Sequence, residues 1–300
     1  DLFTKLEFVA RRVRNRPQRA FGGIQLILCG DLYQLPPIKA KKLVFQSEAW
    51  HPCMQLHLEL DTNFRQRDRN FSAILSRVRT GTATPFDITF LQKLNRPLKE
   101  CMVVDEDGRD FVVEPTRLYA TNRDVSAEND DALSKLPGPA VRFEAQDEGM
   151  RVEVLEKCAA PPTLLLRVGA QVMLVKNINT KNGLVNGARG VVVAFNKDWE
   201  NAPMVVFDHG NGREVTLPAE EFVVYQGGME VACRLQIPLR LAWALTIHKA
   251  QGASLDSAVV DLKGVHNCGQ AYVAMSRVRS PEGLHLINFA PESLKVDPRV

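Results

Sequence analysis

The first residues of the chain place apolar side chains at helical spacing. Leu2, Leu6, Val9 and Val13 are separated by four, three and four residues, so they share one face of a helix. The pattern predicts an amphipathic helix that ends near Pro17. Arg11, Arg12, Arg14 and Arg16 lie beside or opposite this face and give the helix a basic side.

Strand-like and helical patterns alternate through the first half of the chain. Residues 24–29 form a continuous apolar run that indicates a buried parallel strand, and residues 56–60 and 116–120 predict further buried strands. Residues 71–78, 85–94 and 124–133 carry helical patterns. Strands that alternate with helices predict an α/β domain built on a parallel sheet.

From about residue 164 the pattern changes to short strands separated by turns. We expect strands at 171–176, 190–195, 204–208, 213–217, 221–225 and 230–237. The separators Asn186-Gly187 and His209-Gly210-Asn211-Gly212 are strong turn signals. This region predicts a small all-β module inserted into the α/β domain. The α/β pattern then resumes with a strand at 239–244, a helix start at 246–252, a strand at 258–262, a helix at 269–278 and a strand at 284–288.

The composition is that of an ordinary globular protein. Of the 300 residues, 45% are hydrophobic and 24% are charged, and no apolar run reaches the roughly 18 residues of a membrane span. We therefore expect a soluble protein with no membrane partner. The net charge of +3 is too small to indicate nucleic-acid binding by itself. The chain starts at Asp1 without a Met or a signal peptide, so we expect it to begin inside a larger protein.

The six cysteines are widely separated and form no C-x-x-C pair. No histidine stands near them at zinc spacing. We interpret them as reduced thiols of an intracellular protein and expect no metal site in this chain.

Polar residues follow the first predicted strand directly. Asp31 and Gln34 lie in the segment 30–37, directly beyond the carboxyl end of this predicted strand. In open α/β sheets, ligands bind at such positions. A glutamine at such a position can orient a water molecule or sense a terminal phosphate. The alternative is a proline-fixed turn whose polar side chains cap backbone groups.

Two arginines stand at the ends of predicted elements. Arg65 follows the predicted strand at 56–60, and its guanidinium offers paired donors to phosphate oxygens. A solvated basic loop is the alternative at this position. Arg277 lies near the end of the predicted helix 269–278, from which it can reach a nucleotide. The alternative for Arg277 is a structural pair with a carboxylate.

The segment 246–252 combines several groups that contact nucleic-acid backbones. Thr246 offers a hydroxyl, His248 an imidazole and Lys249 an ammonium, while Gly252 permits close approach of the main chain. Taken alone, His248 is equally consistent with a satisfied surface or core histidine. The cluster, rather than the histidine, indicates binding.

The order and spacing of these segments resemble the Pif1 family of superfamily 1B DNA helicases over nearly the whole chain. The opening helix is similar to the latter part of the family's signature segment, and the β-rich region looks like its SH3-like 2B domain. The segments that resemble motifs III, IV, V and VI are, in that order, Gly30-Asp31-x-x-Gln34-Leu35-Pro36-Pro37, Asn63-Phe64-Arg65-Gln66 with Phe71 and Arg79-Thr80-Gly81, Thr246-Ile247-His248-Lys249-Ala250-Gln251-Gly252, and Tyr272-Val273-Ala274-Met275-Ser276-Arg277.

This resemblance implies a RecA-like parallel-sheet core interrupted by an SH3-like all-β module. The end of domain 1A would occupy residues 1–60 and the first part of domain 2A residues 61–163. The 2B insertion would occupy residues 164–237 and the second part of domain 2A residues 238–300.

The resemblance also implies the roles of individual residues. Gln34 would sense the γ-phosphate of ATP, and Arg65 and Arg277 would approach the same phosphate as the catalytic arginines. Asp31 and Gly252 would complete the ATP-binding set. The expected contacts to single-stranded DNA are Asn122, Thr246, His248 and Lys249.

Two parts of the family's motor have no counterpart in the sequence. It contains no G-x-x-x-x-G-K-[ST] loop and no acidic motif II, whose carboxylates would hold Mg²⁺. We therefore expect these 300 residues alone neither to bind ATP tightly nor to hydrolyse it. The complete protein would use ATP and Mg²⁺.

The expected activity of the complete protein is ATP-dependent 5′-to-3′ unwinding of DNA duplexes or forks by translocation on single-stranded DNA. The resemblance further implies a monomer in the nucleus or the mitochondrion, with roles in DNA repair, recombination and telomere maintenance. Two alternatives stay open. One is a nucleic-acid-binding module without ATPase activity, and the other is a superfamily 1B helicase of the RecD or transposon type.

Overall fold

The structure is a computed structural model that describes residues 2–37, 42–98, 101–207 and 213–300. Its helices are α1 (Leu2–Val13), α2 (Trp50–Cys53), α3 (Arg69–Thr80), α4 (Pro85–Gln92), α5 (Asn122–Lys135), α6 (Ile247–Ala250) and α7 (Gln270–Met275). The turn predicted at 209–212 and the last residue of the strand predicted at 204–208 lie outside the described residues.

The strands run through the second half of the chain for the most part. They are β1 (Cys101–Val104), β2 (Asp110–Val113), β3 (Thr116–Tyr119), β4 (Val141–Glu144), β5 (Gln146–Gly149), β6 (Thr163–Leu166), β7 (Gln171–Leu174), β8 (Arg189–Asn196), β9 (Ala202–Phe207), β10 (Glu214–Thr216), β11 (Glu220–Gln226), β12 (Met229–Gln236), β13 (Leu239–Leu241), β14 (Ala244–Thr246), β15 (Ala258–Asp261) and β16 (Leu284–Ile287).

The chain divides into two compact units. The first contains Asp1–Ile88, Val265–Val273 and Ala290–Val300, and the second contains Thr89–Gly264 and Ala274–Phe289. The domain boundaries expected at residues 60, 163 and 237 stay predictions.

In the first unit, α1 confirms the predicted helix, but the buried face is a different one. Phe3 and Glu7 are buried, and Phe3 packs its ring 5.3 Å from Phe21 and 5.9 Å from Trp50. Glu7 accepts hydrogen bonds from the Phe21 N–H and from Arg11. A carboxylate with such donors can be buried, and spacing alone does not reveal this. The predicted apolar face is 51 to 80% exposed and consists of Leu2, Leu6, Val9 and Val13.

The strands predicted at 24–29 and 56–60 are wrong for the described structure. Neither segment is paired with a strand among the described residues, and Leu56, Leu58 and Leu60 are 74 to 95% exposed. A strand requires a neighbour that satisfies its backbone N–H and C=O groups, and a single sequence segment does not supply one.

Helices α3 and α4 confirm the helical patterns at 71–78 and 85–94. Asp68 caps α3 by accepting the Phe71 N–H at 2.8 Å, and Gly81 ends it with a φ of 74°. Arg77 of α3 donates two hydrogen bonds to the carboxylate of Asp87, at 2.7 and 2.6 Å. This bidentate pair fixes the two helices against each other.

The second unit contains the predicted parallel sheet. Its strand order is β14-β3-β15-β16, and every neighbouring pair is parallel. Leu118, Leu245, Val260 and Leu286 fill its buried faces. Helix α5 follows β3 and helix α6 follows β14, as the alternating pattern predicts.

The second unit also contains the predicted all-β module. An antiparallel sheet in the order β10-β9-β8-β7-β13 forms its largest part, and β5 joins β12 and β11 in a second sheet. Asn186-Gly187 forms the expected turn, with a φ of 95° at Gly187. Strands β1, β2, β4, β5 and β6 have no counterpart in the sequence prediction.

The single strand predicted at 239–244 is wrong, because the chain divides it between two sheets. Strand β13 pairs antiparallel with β7, whereas β14 pairs parallel with β3. Ala242 and Trp243 separate the two strands and are hydrogen-bonded on both sides, to Gln171, Thr116 and Arg117. An apolar run therefore carries no signal that its two ends have different partners.

None of the described helices combines the length and apolar character that a membrane crossing requires. Of the cysteines with described side chains, Cys29, Cys53, Cys158, Cys233 and Cys268 are free thiols.

Candidate functional site

Four of the predicted binding residues lie at one edge of the parallel sheet. Tyr119, the last residue of β3, is the register partner of Thr246, the last residue of β14. The two strands are parallel, so the chain leaves both at the same edge. Asn122 begins α5 just beyond β3, and the α6 residues His248 and Lys249 follow β14. The structure thus brings Asn122, Thr246, His248 and Lys249 together.

A buried amide holds the helix that carries Asn122 against the strand that leads to His248. Asn129 of α5 donates from Nδ2 to the Ala244 carbonyl at 3.1 Å and accepts the Ala244 N–H at 3.0 Å. Both backbone groups of Ala244 are thereby satisfied. Sequence analysis missed Asn129, because nothing in a helical pattern shows which polar residue faces a strand.

The predicted binding residues at the start of α6 differ in their exposure to solvent. Thr246 is buried and caps the helix by accepting the Lys249 N–H at 3.3 Å, while its own hydroxyl proton stays available for donation. His248 and Lys249 are exposed. Partial burial, followed by the charge of Arg240, lowers the pKa of Lys249.

In the first unit, the segment 30–37 is a turn organised by Asp31. The carboxylate of Asp31 accepts the Tyr33 N–H at 3.1 Å and the Gln34 Nε2 at 3.3 Å. It also accepts two donors from Arg79, Nε at 3.0 Å and Nη2 at 2.9 Å. Burial raises the pKa of Asp31, but the hydrogen bonds and charge of Arg79 outweigh it and hold the pKa below its usual value.

The opposite side of this turn is fixed by close packing. The guanidinium of Arg79 lies 4.5 Å from the centre of the Tyr33 ring, a cation–π contact. Gly269 has a φ of 72°, and a Cβ there would lie 2.5 Å from the Tyr33 carbonyl oxygen and 2.6 Å from that of Gln34. Only glycine permits this approach. The turn that carries Gln34 is therefore held from two sides.

Arg65 lies in a separate loop of the first unit. Its backbone N–H donates to Asn63 Oδ1 at 3.0 Å, and the Gln66 N–H donates to the same oxygen at 3.2 Å. Asn63 Nδ2 donates in turn to Gln66 Oε1 and to Ser72 of α3. Asn63 thus shapes the loop, and Arg65 is half-buried within it.

Arg277 and Gly252 lie in the second unit, on segments that meet. The Arg277 carbonyl accepts a hydrogen bond at 2.9 Å from the N–H of Leu255, and Leu255 follows Gly252 by three residues. Arg277 follows the end of α7 and is 2% exposed, with Nη2 donating to Ser276 Oγ at 2.7 Å. Gly252 has a φ of 86°, and a Cβ there would meet no atom within 4 Å, so the space that a side chain would enter is open.

Among the described residues, no group of three His, Cys, Asp or Glu side chains is arranged to bind a metal ion. The one carboxylate of the predicted ATP-binding set, that of Asp31, is occupied by Arg79. These residues do not provide a magnesium site, and we assign no step to that ion in this chain.

Comparisons with known protein families match two parts of the chain. Residues 1–86 match the family described as PIF1-like helicase, and residues 153–195 match the one described as DNA helicase Pif1, 2B domain. The second match lies in the all-β region of the second unit.

Relatives and solved structures agree with these matches. The human ATP-dependent DNA helicase PIF1 is 42% identical over the whole chain, which spans 46% of the human protein. The crystal structure of Pif1 helicase from Candida albicans is similar with a TM-score of 0.81 and 35% identity, over 99% of this chain and 72% of that one. A Bacteroides Pif1 in complex with ADP-AlF3 and ssDNA gives a TM-score of 0.65 and 26% identity, over 99% and 70% of the two chains. These similarities confirm the predicted fold class, a RecA-like core with an SH3-like module.

Proposed function

The chain belongs to the Pif1 helicase family, and on that basis we propose that it forms the DNA-holding and ATP-sensing part of an ATP-dependent DNA helicase. The complete protein uses ATP hydrolysis to move along single-stranded DNA and to unwind duplexes or forks. Relatives about twice as long as this chain are named ATP-dependent DNA helicases.

The shared sheet edge carries this proposal. It places an amide, an imidazole and an ammonium, from Asn122, His248 and Lys249, at the carboxyl ends of two paired parallel strands. Such groups hold a phosphate backbone without reading the bases. A translocating motor requires contacts of this kind, since it must step along any sequence.

The proposed ATP-dependent roles belong to Gln34, Arg65 and Arg277. Gln34 senses the terminal phosphate from a turn held by Asp31, and the two arginines stabilise the charge that spreads over the phosphate oxygens. Asp31 acts on Gln34 rather than on the nucleotide, since its oxygens already accept donors from Arg79. Gly252 keeps the backbone accessible beside α6.

We further propose that the motor moves 5′ to 3′, and that these 300 residues alone do not hydrolyse ATP. The second proposal follows from the absence of a phosphate-cradling loop and an acidic magnesium-binding pair in this sequence. It also follows that the chain retains single-strand binding, since the sheet-edge residues are present.

Binding of a fluorescein-labelled oligo(dT) to the 300-residue chain tests the DNA site. Fluorescence anisotropy should report binding, and His248→Ala should weaken it several-fold. His51→Ala, another exposed histidine, is the matched control and should have no effect. Equal affinities of the unaltered chain, His248→Ala and His51→Ala would show that His248 does not contact the DNA. Absence of binding by the unaltered chain would contradict the proposed function.

Strand displacement by the complete protein tests the motor. Partial duplexes with either a 5′ or a 3′ single-stranded tail should be unwound only when the tail is 5′, and only with ATP. The 300-residue chain in the same assay should show neither unwinding nor phosphate release. Unwinding from a 3′ tail would contradict the direction, and ATP hydrolysis by the chain would contradict its inactivity.

A further inference from the structure

The guanidinium of Arg240 contains a buried donor without an acceptor. Arg240 lies in β13 and pairs with Met173 of β7. Its Nε is the one buried side-chain nitrogen or oxygen atom without a hydrogen-bond partner among the residues that the structure describes. Its Nη2 lies 3.6 Å from the sulfur of Met173, and a thioether is a weak acceptor. The fold thus leaves one hydrogen-bond donor of this arginine without an acceptor and gives another a weak one.

A second cation lies within its electrostatic reach. The charge of Arg240 contributes to the lowered pKa of Lys249, and burial lowers the pKa of Arg240 itself. In the described part of the chain no carboxylate contributes to the pKa of either group. Lys249 is exposed and Arg240 is partly buried, so the two positive charges repel each other at a place where an anion from solution can reach the ammonium.

A phosphate group neutralises both charges, because its oxygens accept guanidinium donors in their planar geometry and pair with the ammonium. We propose that Arg240 and Lys249 together bind a phosphodiester of single-stranded DNA, with Arg240 as a further binding residue of the strand. This inference rests on the proposed function, since Lys249 lies at the sheet edge assigned to the DNA.

The position of Arg240 determines which two parts of the second unit the bound phosphate would connect. It lies on a strand of the antiparallel module, whereas Lys249 follows a strand of the parallel sheet. Only Ala242 and Trp243 separate the two strands in sequence. One phosphate bound to both cations is therefore held jointly by the module and by the parallel sheet.

Replacement of Arg240 separates a binding role from a structural role. Arg240→Met removes the unsatisfied donor and retains an apolar stem beside Met173, so the thermal midpoint of the 300-residue chain should stay equal or rise. The affinity for labelled oligo(dT) should fall about five-fold to ten-fold. Arg240→Lys, which keeps the charge, should retain most of the affinity.

The salt dependence identifies the lost contact as an ionic one. Loss of one phosphate contact should reduce the slope of log K against log salt concentration by about 0.7 for a single strand. Arg142→Met is the matched control, because Arg142 is an exposed arginine on β4 that pairs with Glu144. It should change neither the slope nor the affinity measurably.

Inorganic phosphate serves as the second probe, at constant ionic strength. In one outcome, phosphate raises the thermal midpoint of the unaltered chain while Arg240→Met binds oligo(dT) as tightly as the unaltered chain does. That pair of results would show that the two cations bind a free anion rather than DNA, and it would overturn the proposal. A lower thermal midpoint for Arg240→Met with unchanged salt slope would indicate a structural arginine and also overturn it. Failure of the unaltered chain to bind oligo(dT) would refute the proposed function and this inference together, whereas normal binding by Arg240→Met refutes only the inference.

Discussion

Arg79 and Asp31 are 48 residues apart in sequence and joined by a forked ion pair, with Nη2 and Oδ1 at 2.9 Å. Arg79 belongs to the last turn of α3, and Asp31 organises the turn that carries Gln34. The pair therefore links the orientation of Gln34 to the helix that follows the Arg65 loop. Asp31 and Arg79 are positioning residues in the proposed ATP-sensing mechanism.

A double-mutant cycle measures this link. Asp31→Asn and Arg79→Gln should each lower the stability of the chain in urea unfolding, and the coupling between them should be about 1 kcal/mol. In the complete protein either change should reduce ATP turnover about ten-fold with single-strand affinity unchanged. Arg67→Gln, at an exposed arginine of the same unit, should be additive with Asp31→Asn. A coupling near zero would exclude the positioning role.

Asn129 should support both stability and DNA binding. Asn129→Leu leaves the N–H and C=O of Ala244 without partners at the start of β14, which costs about 2 kcal/mol. The urea midpoint of the second unit and the affinity for oligo(dT) should both fall. Asp130→Asn, at the exposed next residue, serves as the control. Normal DNA affinity in a destabilised Asn129→Leu chain would show that the amide does not position the sheet edge.

The Arg77–Asp87 pair predicts a loss of stability in acid. The pKa of the Asp87 carboxyl lies well below its usual value, mainly because Arg77 donates hydrogen bonds to it. Burial acts in the opposite direction, and hydrogen bonds from Thr84 lower the pKa further. Since the pKa is depressed in the folded state, the stabilisation is complete above the unfolded value near 3.9 and is lost as the pH falls below it.

Asp87→Asn tests this assignment by removing the titrating group. The variant should be less stable than the unaltered chain at pH 7, and its stability should decline less between about pH 5 and pH 2. Asp110→Asn, at an exposed carboxylate, should preserve the original pH profile. Parallel acid profiles for Asp87→Asn and the unaltered chain would place the acid sensitivity elsewhere.

Arg277→Ala in the complete protein should separate ATP turnover from DNA binding. Loss of an arginine that stabilises the transferring phosphoryl group lowers turnover about 10³-fold or more, and single-strand affinity should stay within several-fold. Because Arg277 is almost fully buried, the thermal midpoint is measured on the same protein. Parallel loss of turnover, DNA affinity and thermal stability would indicate a folding role instead.

The sequence was sufficient where the signals are local. Asp68 and Gly81 delimit α3, and Thr121 caps α5, so helix positions follow from residues a few places apart. The parallel sheet follows from the alternation of strands and helices. The motif residues are identified by their order along the chain.

The sequence was insufficient where partners are remote. The apolar run at 24–29 is exposed at every residue but Leu26, because strand formation depends on neighbours that the run does not encode. Asp31 and Arg79 are too distant in sequence for either to reveal the other. The contact between Arg240 Nη2 and the sulfur of Met173 depends on Met173 lying opposite on β7, which only the strand register shows.

The two-residue connection between β13 and β14 contains no slack. The N–H and C=O of Ala242 and the C=O of Trp243 are already hydrogen-bonded, so a slip of β13 along β7 has no loop in which to be absorbed. Such a slip would pull on Ala244, the first residue of the strand that leads to Thr246. A displacement of β13 therefore acts on the start of β14, the strand that leads to the residues proposed to bind the DNA.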